Sequence, residues 1–98
     1  MARTLEWRVR MRLSEDEGTT RARVDLDTGT TTLTGHGTAR CNPADVDVPE
    51  IGDELAASRA MGDLARQLMR VADRDLEAVG AGPAKAEPDP GYGWPGAG

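Results

Sequence analysis

The chain has 98 residues, with 17 acidic and 12 basic side chains and a formal net charge of −5. This length allows one domain and excludes a multidomain enzyme, and a hydrophobic content of 38% without a long apolar run excludes a membrane-spanning helix. A domain this small buries a modest fraction of its surface, so we expect it to form oligomers.

The first predicted element is a strand from Leu5 to Leu13, because apolar and charged residues alternate there without interruption. The segment from Ser14 to Gly18 is predicted as a charged loop. One face of the strand is predicted to be half-buried and carries Leu5, Trp7, Val9, Met11 and Leu13, whereas Glu6, Arg8, Arg10 and Arg12 lie on the other.

Two further strands are predicted to follow, with Ala22, Val24 and Leu26 facing inward on the first of them. Thr28-Gly29 reads as a tight two-residue turn, so that Asp27 pairs with Thr30. That register places Val24 opposite Leu33 and Ala22 opposite Gly35, and predicts a three-stranded antiparallel meander. On the third strand the inward positions are Thr31, Leu33, Gly35, Gly37 and Ala39.

Two successive helix-start signals follow the strands. Asn42-Pro43-Ala44-Asp45 predicts a short helical turn, and Asp47-Val48-Pro49-Glu50 predicts the start of a long helix from about Pro49 to about Val79. The expected fold class is therefore α+β, with the helix packed on one face of the sheet. The stripe expected to make that contact comprises Ala57, Met61, Leu64, Ala65, Leu68, Val71 and Ala72.

The domain is predicted to span residues 1–79, and residues 80–98, which hold six glycines and four prolines, are predicted to form a disordered tail. Such a helix is about 45 Å long, whereas a nine-residue strand spans about 30 Å. The helix therefore overhangs its own sheet. Ile51, Leu55 and Met69 lie beside the predicted stripe, and we expect them to pack against a second protomer.

Candidate chemistry is sparse in this sequence. His36 and Cys41, with Asp45 and Asp47 nearby, lack the further Cys or His ligands of a structural zinc site and the partner that a catalytic thiol needs. Gly35-His36-Gly37 lacks the order of strand, turn and helix of a phosphate-binding loop, so close packing explains its glycines better. We therefore expect no enzyme, no metal, no cofactor and no small-molecule substrate.

The compartment follows from two features. The first residues lack the apolar segment of a signal peptide, and Cys41, as the lone cysteine, cannot form an intrachain disulfide. A cytoplasmic protein is therefore expected.

Charge is divided unevenly along the chain, which locates the most informative feature. Residues 1–40 carry a net charge of +1 and residues 41–98 a net charge of −6, so a nucleic-acid surface is expected in the N-terminal half. Five arginines there share the outer face of the predicted sheet: Arg8, Arg10, Arg12, Arg21 and Arg23. We call this set the arginine face.

Two registers of the first strand pair remain open. One places Arg10 against Arg23 and Arg12 against Arg21, whereas a shift by two residues places Arg10 against Asp25 and Arg8 against Asp27, which is electrostatically better. Either way, a positive cluster remains. The arginine face is interpreted as a phosphate- or RNA-binding surface or one that meets an acidic protein, and the alternative is a charged, solvated face that guards the sheet from aggregation.

The opening tryptophan strand, the Gly-His-Gly segment and the run from Asn42 through Arg59-Ala60-Met61 resemble an actinobacterial family of small proteins of unknown function. The resemblance covers roughly residues 4–75. It implies a fold like that of the double-stranded-RNA-binding domain, in an intertwined dimer. Some mycobacterial relatives are induced in dormancy and are similar in shape to ribosome hibernation-promoting factors.

These observations favour one hypothesis over two others. The first is a non-enzymatic, stress-associated homodimer that contacts ribosomes or structured RNA through the arginine face. The second is a structural or protein-interaction dimer that binds an acidic protein. The third, a small-ligand binder or enzyme, needs a concave pocket that a thin two-layer fold offers poorly.

Overall fold

The computed structural model describes residues 2–42, 46 and 48–80. Three antiparallel strands, β1 (Arg8–Asp16), β2 (Thr19–Asp27) and β3 (Thr32–Arg40), precede one long helix, α1 (Pro49–Ala78), and the strand order is β1-β2-β3. This arrangement confirms the predicted α+β meander and helix. The predicted short turn at residues 43–45 and the predicted tail at residues 81–98 lie outside the described residues.

Residues up to Leu68 form one compact unit, which contains the sheet and the first part of α1, and the rest of the helix belongs to a second unit. The helix begins at Pro49, as its start signal predicted, because proline at the first helical position already has helical φ and lacks an N–H that would need a partner. In the part of the chain that the structure describes, no helix combines the length and apolar character needed to cross a membrane.

The first hairpin differs from its prediction at both ends. β1 starts at Arg8 rather than Leu5 and continues through Asp16, so the predicted loop is reduced to Glu17-Gly18. Both residues have positive φ, 48° and 77°, as the central pair of a type I′ turn requires. The Gly18 N–H also donates to Glu15 Oε2 at 3.1 Å. A two-residue turn thus lets the strands pair up to Asp16↔Thr19.

The second turn is longer than predicted. It contains four residues, Thr28 to Thr31, and Asp27 pairs with Thr32 instead of Thr30. Side chains close the loop, because Asp27 Oδ1 accepts from the Gly29 N–H at 2.8 Å and Thr28 Oγ1 accepts from the Thr31 N–H at 3.1 Å. The predicted pairs of Val24 with Leu33 and Ala22 with Gly35 are therefore wrong by two residues: Val24 opposes Gly35, and Ala22 opposes Gly37.

Glycines in β3 determine how closely α1 approaches the sheet. A Cβ on Gly35 would lie 2.5 Å from the Ala60 carbonyl oxygen, and one on Gly37 would overlap the backbone of Ala56 and Ala60. The helix backbone therefore rests directly on β3, and only alanine fits between them. This confirms that the inward glycines serve close packing.

The predicted helix stripe is correct only in part, because this close approach selects small residues. The helix residues that are buried within the described part of the chain are Ala56 and Ala60, with Leu64 packed partly against them, whereas Met61, Ala65 and Ala72 are exposed. A face chosen for large apolar side chains would hold the helix away from Gly35 and Gly37. The face of α1 that packs on the sheet therefore consists mainly of small residues, and Met61 lies outside it.

A row of polar residues on α1 covers the outer edge of β3. Arg59 Nη1 donates to the Thr38 carbonyl at 2.7 Å, and Gln67 Nε2 donates to the Thr34 carbonyl at 2.7 Å. Between them, Asp63 Oδ2 accepts from the His36 N–H at 2.9 Å. Side chains four residues apart thus satisfy backbone groups that an edge strand would otherwise expose.

The inner row of β1 is more exposed than predicted. Val9 is 60% exposed and Leu13 is 43% exposed. Leu5 and Trp7, which precede the strand, are exposed to a similar degree. Within this row, only Met11 packs partly against the core. The reason is the position of the helix, which contacts the glycines of β3 and shares a buried cluster with Ala22 and Val24 of β2. Much of the apolar row of β1 therefore faces solvent.

Candidate nucleic-acid interface

The arginine face is built by strand alternation on the side of the sheet away from α1. Successive strand residues point to opposite faces, so the arginines at even positions of β1 and odd positions of β2 share one face when the strands are in register. All five arginines of the arginine face are exposed. The structure therefore brings together every residue that the sequence assigned to this surface.

The register settles which arginines have an acidic neighbour. Arg8 lies opposite Asp27 and Arg10 opposite Asp25, as in the electrostatically better of the two registers. Directly opposed side chains of opposite charge attract, so both carboxylates lower the positive charge around them. Asp25 is itself ion-paired with Arg23 of the next row, so it compensates charge in both halves of the arginine face.

The other half brings three arginines together. Arg12 lies directly opposite Arg23, and the next row pairs Ser14 with Arg21. Like charges that face each other across a strand pair are unfavourable, so this arrangement costs stability that the fold must supply elsewhere. Three guanidinium groups thus lie together without a carboxylate in their own two rows.

A short polar network fixes one of these arginines. Arg23 Nε donates to Asp25 Oδ1 at 3.1 Å, and the Thr34 hydroxyl donates to the same oxygen at 2.8 Å. The Thr34 hydrogen bond and then the Arg23 hydrogen bond and charge hold the pKa of Asp25 below its ordinary value of 3.8. Asp25 therefore stays ionised near neutral pH and orients Arg23 through one of its five N–H donors.

β3 adds to this surface two residues that are not part of the arginine face, His36 and Thr38. Arg23 opposes His36, and Arg21 opposes Thr38, and all four side chains are exposed. The position of His36 between the inward Gly35 and Gly37 already predicts an exposed histidine on the outer face. The true length of the second turn determines that it lies opposite Arg23.

His36 and Cys41 occupy different environments. His36 lies in the middle of the outer face, whereas Cys41 follows the end of β3, where its N–H donates to the Gly18 carbonyl at 2.8 Å. Among the residues that the structure describes, no three His, Cys, Asp or Glu side chains come together in a group that could hold a metal ion.

The residues predicted for a dimer interface are accessible. Ile51, Leu55 and Met69 are 53%, 45% and 56% exposed, respectively. Ile51 and Leu55 border a cavity of about 290 Å³ at the start of α1, whose sheet side is formed by Thr20, Ala39 and Cys41. The cavity wall is mainly apolar, and Glu15 is the one carboxylate among the lining residues described.

Comparison with known proteins places this architecture in a family. A family model described as Rv2632c-like matches residues 5–85. The uncharacterized protein Mb1767 of Mycobacterium bovis is 47% identical over 79 residues, which cover 81% of this chain and 84% of that protein.

Two matches involve a protein of Mycobacterium tuberculosis. The uncharacterized protein Rv2632c is 44% identical over 66 residues, which cover 67% of this chain and 71% of that protein. The crystal structure of Rv2632c superimposes with a TM-score of 0.75 at 36% identity, and the match covers 84% of this chain and 98% of that one.

Proposed function

Because this chain belongs to the Rv2632c-like family, whose matched mycobacterial members are uncharacterised, we propose its function from its own surface. It is a non-enzymatic, cytoplasmic, stress-associated homodimer that contacts ribosomes or structured RNA through the arginine face. The observation that carries the proposal is the register, which places Arg12, Arg21 and Arg23 next to one another and exposed on the open side of the sheet, with Asp25 ion-paired to Arg23. Phosphate groups are the natural partners of clustered guanidinium groups.

The fold supports this choice of partner. The proposal takes RNA as the partner from the resemblance to the double-stranded-RNA-binding domain, which implies three antiparallel strands and a helix on one face. RNA duplexes are recognised mainly by shape and by contacts to phosphates and 2′-hydroxyls, which need donors rather than a base-reading pocket. The net charge of −5 is concentrated outside residues 1–40, so it does not cancel the local potential of the arginine face.

The homodimer is proposed from the uncovered apolar surface. The inner row of β1 and the apolar residues near the start of α1, Ile51 and Leu55, are exposed in one chain. Exposed apolar side chains of this kind are typical of an interface, and a domain of this size gains stability by burying them. A second copy of the chain is the proposed occupant.

A salt series tests the RNA contact. Purified protein is titrated with ribosomes and with a structured RNA between about 50 mM and 200 mM salt. We expect binding at the lower concentration that weakens steeply as salt rises, because bound arginines release counterions from the phosphates. A variant with all five residues of the arginine face changed to alanine is expected to lose this binding. Wild-type protein that binds neither ligand at the lower salt concentration contradicts the proposal.

The matching experiment for an acidic protein partner uses the same titration with poly-glutamate. Carboxylates are weaker partners than a phosphate backbone with condensed counterions, so we expect weaker binding to poly-glutamate than to RNA. Tighter binding to poly-glutamate than to RNA would favour the protein-interaction alternative instead.

A further inference from the structure

We propose that the free edge of β1 pairs with the same edge of a second copy of this chain, antiparallel and with the two-fold axis at Val9. Residues 5–13 of the two copies then form the centre of one six-stranded sheet. The inference rests on the homodimer of the proposed function and deepens it, because it assigns the interface. It does not depend on the RNA contact.

The two edges of the sheet differ in what covers them. On β3, side chains of α1 bond the His36 N–H and the carbonyls of Thr34 and Thr38. Within the residues that the structure describes, β1 has β2 as its one neighbouring strand. An uncovered edge is a template for a further strand, so β1 is the edge that can accept one.

The strand registers show which backbone groups of β1 face outward. The His36 N–H points to α1 rather than to β2, so the opposed Arg23 directs its own N–H and C=O toward β1. Arg23 lies opposite Arg12, whose backbone groups therefore point to β2. Because this direction alternates along an antiparallel strand, the odd-numbered residues of β1 turn their N–H and C=O groups to the open edge. Those residues are Val9, Met11, Leu13 and Glu15.

The segment before β1 extends this edge. Leu5 and Trp7 continue the apolar row of β1 and are exposed. β2 ends at Asp27, opposite Arg8, so no strand among the described residues lies beside them. Addition of a strand from a second chain gives this unpaired apolar alternation a partner.

One register of the two edges matches every apolar side chain of the row. With Val9 opposite the partner's Val9, Trp7 lies opposite the partner's Met11 and Leu5 opposite the partner's Leu13, and the axis repeats both pairs. Directly opposed side chains of an antiparallel pair have Cβ atoms about 5 Å apart. Each apolar side chain therefore gains an apolar neighbour that it lacks in one chain.

Charged residues at the two ends of the row select the same register. A shift by two residues in one direction places Glu15 opposite Leu5, and the opposite shift places Arg3 opposite Leu13. In the register centred on Val9, Arg3 and Glu15 lie opposite each other instead, where their charges attract. The apolar row and its charged ends are thus self-complementary.

The outer face contains one favourable and one unfavourable pair in this register. Glu6 lies opposite the partner's Arg12, whereas Arg8 lies opposite the partner's Arg10. Each of the last two arginines also faces a carboxylate on its own β2. Five strand spacings of about 4.8 Å give a sheet about 24 Å wide, and both arginine faces lie side by side on it.

A cysteine at the axis tests the register in the full chain, with Cys41→Ser removing the natural thiol. We expect Val9→Cys to give a disulfide-linked dimer with oxidised glutathione, because opposed Cα atoms lie about 5.5 Å apart, a separation that a disulfide spans. Leu13→Cys is the matched control, since it lies in the same exposed row and its two copies are about 27 Å apart. Val9→Cys that does not cross-link, or Leu13→Cys that cross-links as readily, overturns the register.

Hydrogen exchange measured by NMR tests the edge pairing without a variant. Trp7 and Glu6 both precede β1, but only the Trp7 N–H points to the partner strand. In wild-type protein we expect the Trp7 and Leu13 amides to exchange at least about tenfold more slowly than the Glu6 amide, after correction for intrinsic rates. Equally fast exchange at Trp7 and Glu6 contradicts the pairing.

Sedimentation of the same samples separates the inference from the proposed function. A wild-type dimer whose Trp7 and Leu13 amides exchange freely is joined through another surface, so the inference is wrong and the homodimer stands. A wild-type monomer at micromolar concentration contradicts both. A dimer with protected amides and a cross-link at Val9→Cys supports the inference, whatever the salt series shows about RNA.

Discussion

At the scale of single residues, the close approach of α1 to β3 predicts a sharp effect of a substitution. Gly37 lies against the helix backbone, and an added Cβ would overlap Ala56 and Ala60. We expect Gly37→Ala to destabilise the fold by about 1–3 kcal/mol or more, because neither backbone segment can move without separating helix and sheet. Chemical denaturation of the variant measures this directly.

Gly62 provides the matched control. It lies in the same helix, and the nearest atom to an added Cβ is the flexible end of Arg66 at 3.5 Å. Gly62→Ala should stabilise the protein by about 0.5–1 kcal/mol, because glycine in a helix interior is entropically unfavourable. Equal effects of the two substitutions would contradict the close contact between β3 and α1.

Two carboxylates give the stability a pH dependence of known sign. The His36 N–H and then the Gln67 side chain hold the pKa of Asp63 below its ordinary value of 3.8, as Thr34 and Arg23 do for Asp25. A pKa that is lower in the folded state means that the unfolded state binds more protons. The stabilisation is therefore complete above the unfolded-state pKa and is lost as the pH falls through the folded-state value.

We expect the free energy of unfolding to fall with decreasing pH below about 4, and to fall less steeply in Asp63→Asn. Asparagine can still accept from the His36 N–H, but it cannot be protonated in this range. Urea titrations across the acid range measure the slope, with Asp53→Asn as a control that leaves the His36 contact intact. Identical slopes in wild type and Asp63→Asn would rule out this role for Asp63.

The arginine face shows how far residue-scale prediction reaches. Alternation along β1 and β2 is enough to place the five arginines on one face, because the side-chain period of a strand is two. Which of them lie opposite a carboxylate depends on the register of β1, and which of them lies opposite His36 depends on the register of β3. Neither is encoded in the local pattern around those residues.

At the scale of secondary structure elements, α1 works both as a packing surface and as a cover for an edge. Arg59, Asp63 and Gln67 bond three backbone groups of β3 that no strand pairs. An uncovered edge is a template for pairing with other chains. The helix therefore leaves β1 as the more accessible edge of the sheet.

We expect Asp63→Ala to speed hydrogen exchange of the His36 amide, because that N–H loses its acceptor and meets solvent. Ser58→Ala changes an exposed residue of the same helix and serves as the control. Exchange measured residue by residue by NMR gives the comparison. An unchanged His36 rate in Asp63→Ala would show that the side chain does not cover this edge.

The sequence predicted the elements better than their contacts, for two physical reasons. A turn that is longer by two residues keeps every side chain on its predicted face, so the pattern around Thr28-Gly29 could not reveal the shift. The packing face of α1 is made of Ala56 and Ala60, which contribute little to an apolar stripe but allow the closest approach. Larger residues such as Met61 dominate the pattern and stay exposed.

At the scale of the whole molecule, the main feature is that a single chain leaves the inner apolar row of β1 exposed to solvent. Val9 and Leu13 lie on the inner side of the sheet with much of their surface in solvent. We expect wild-type protein to sediment as a dimer at micromolar concentration and Val9→Arg to sediment as a monomer, because an interface cannot bury an unpaired guanidinium group.

Ser14→Arg is the control for this experiment. It adds the same side chain to the same strand but on the outer face, so it should remain dimeric. A monomeric wild-type protein, or a dimer that persists in Val9→Arg, would remove β1 from the interface.

The most direct test of the central claim, that this chain contacts ribosomes or structured RNA through the arginine face, is its position in a density gradient of a stationary-phase lysate. We predict that it migrates with ribosomal particles, returns to the top of the gradient after nuclease treatment, and is found at the top without treatment when Arg12 and Arg23 are both alanine. Wild-type protein that stays at the top of the gradient in an untreated, low-salt lysate would contradict the account.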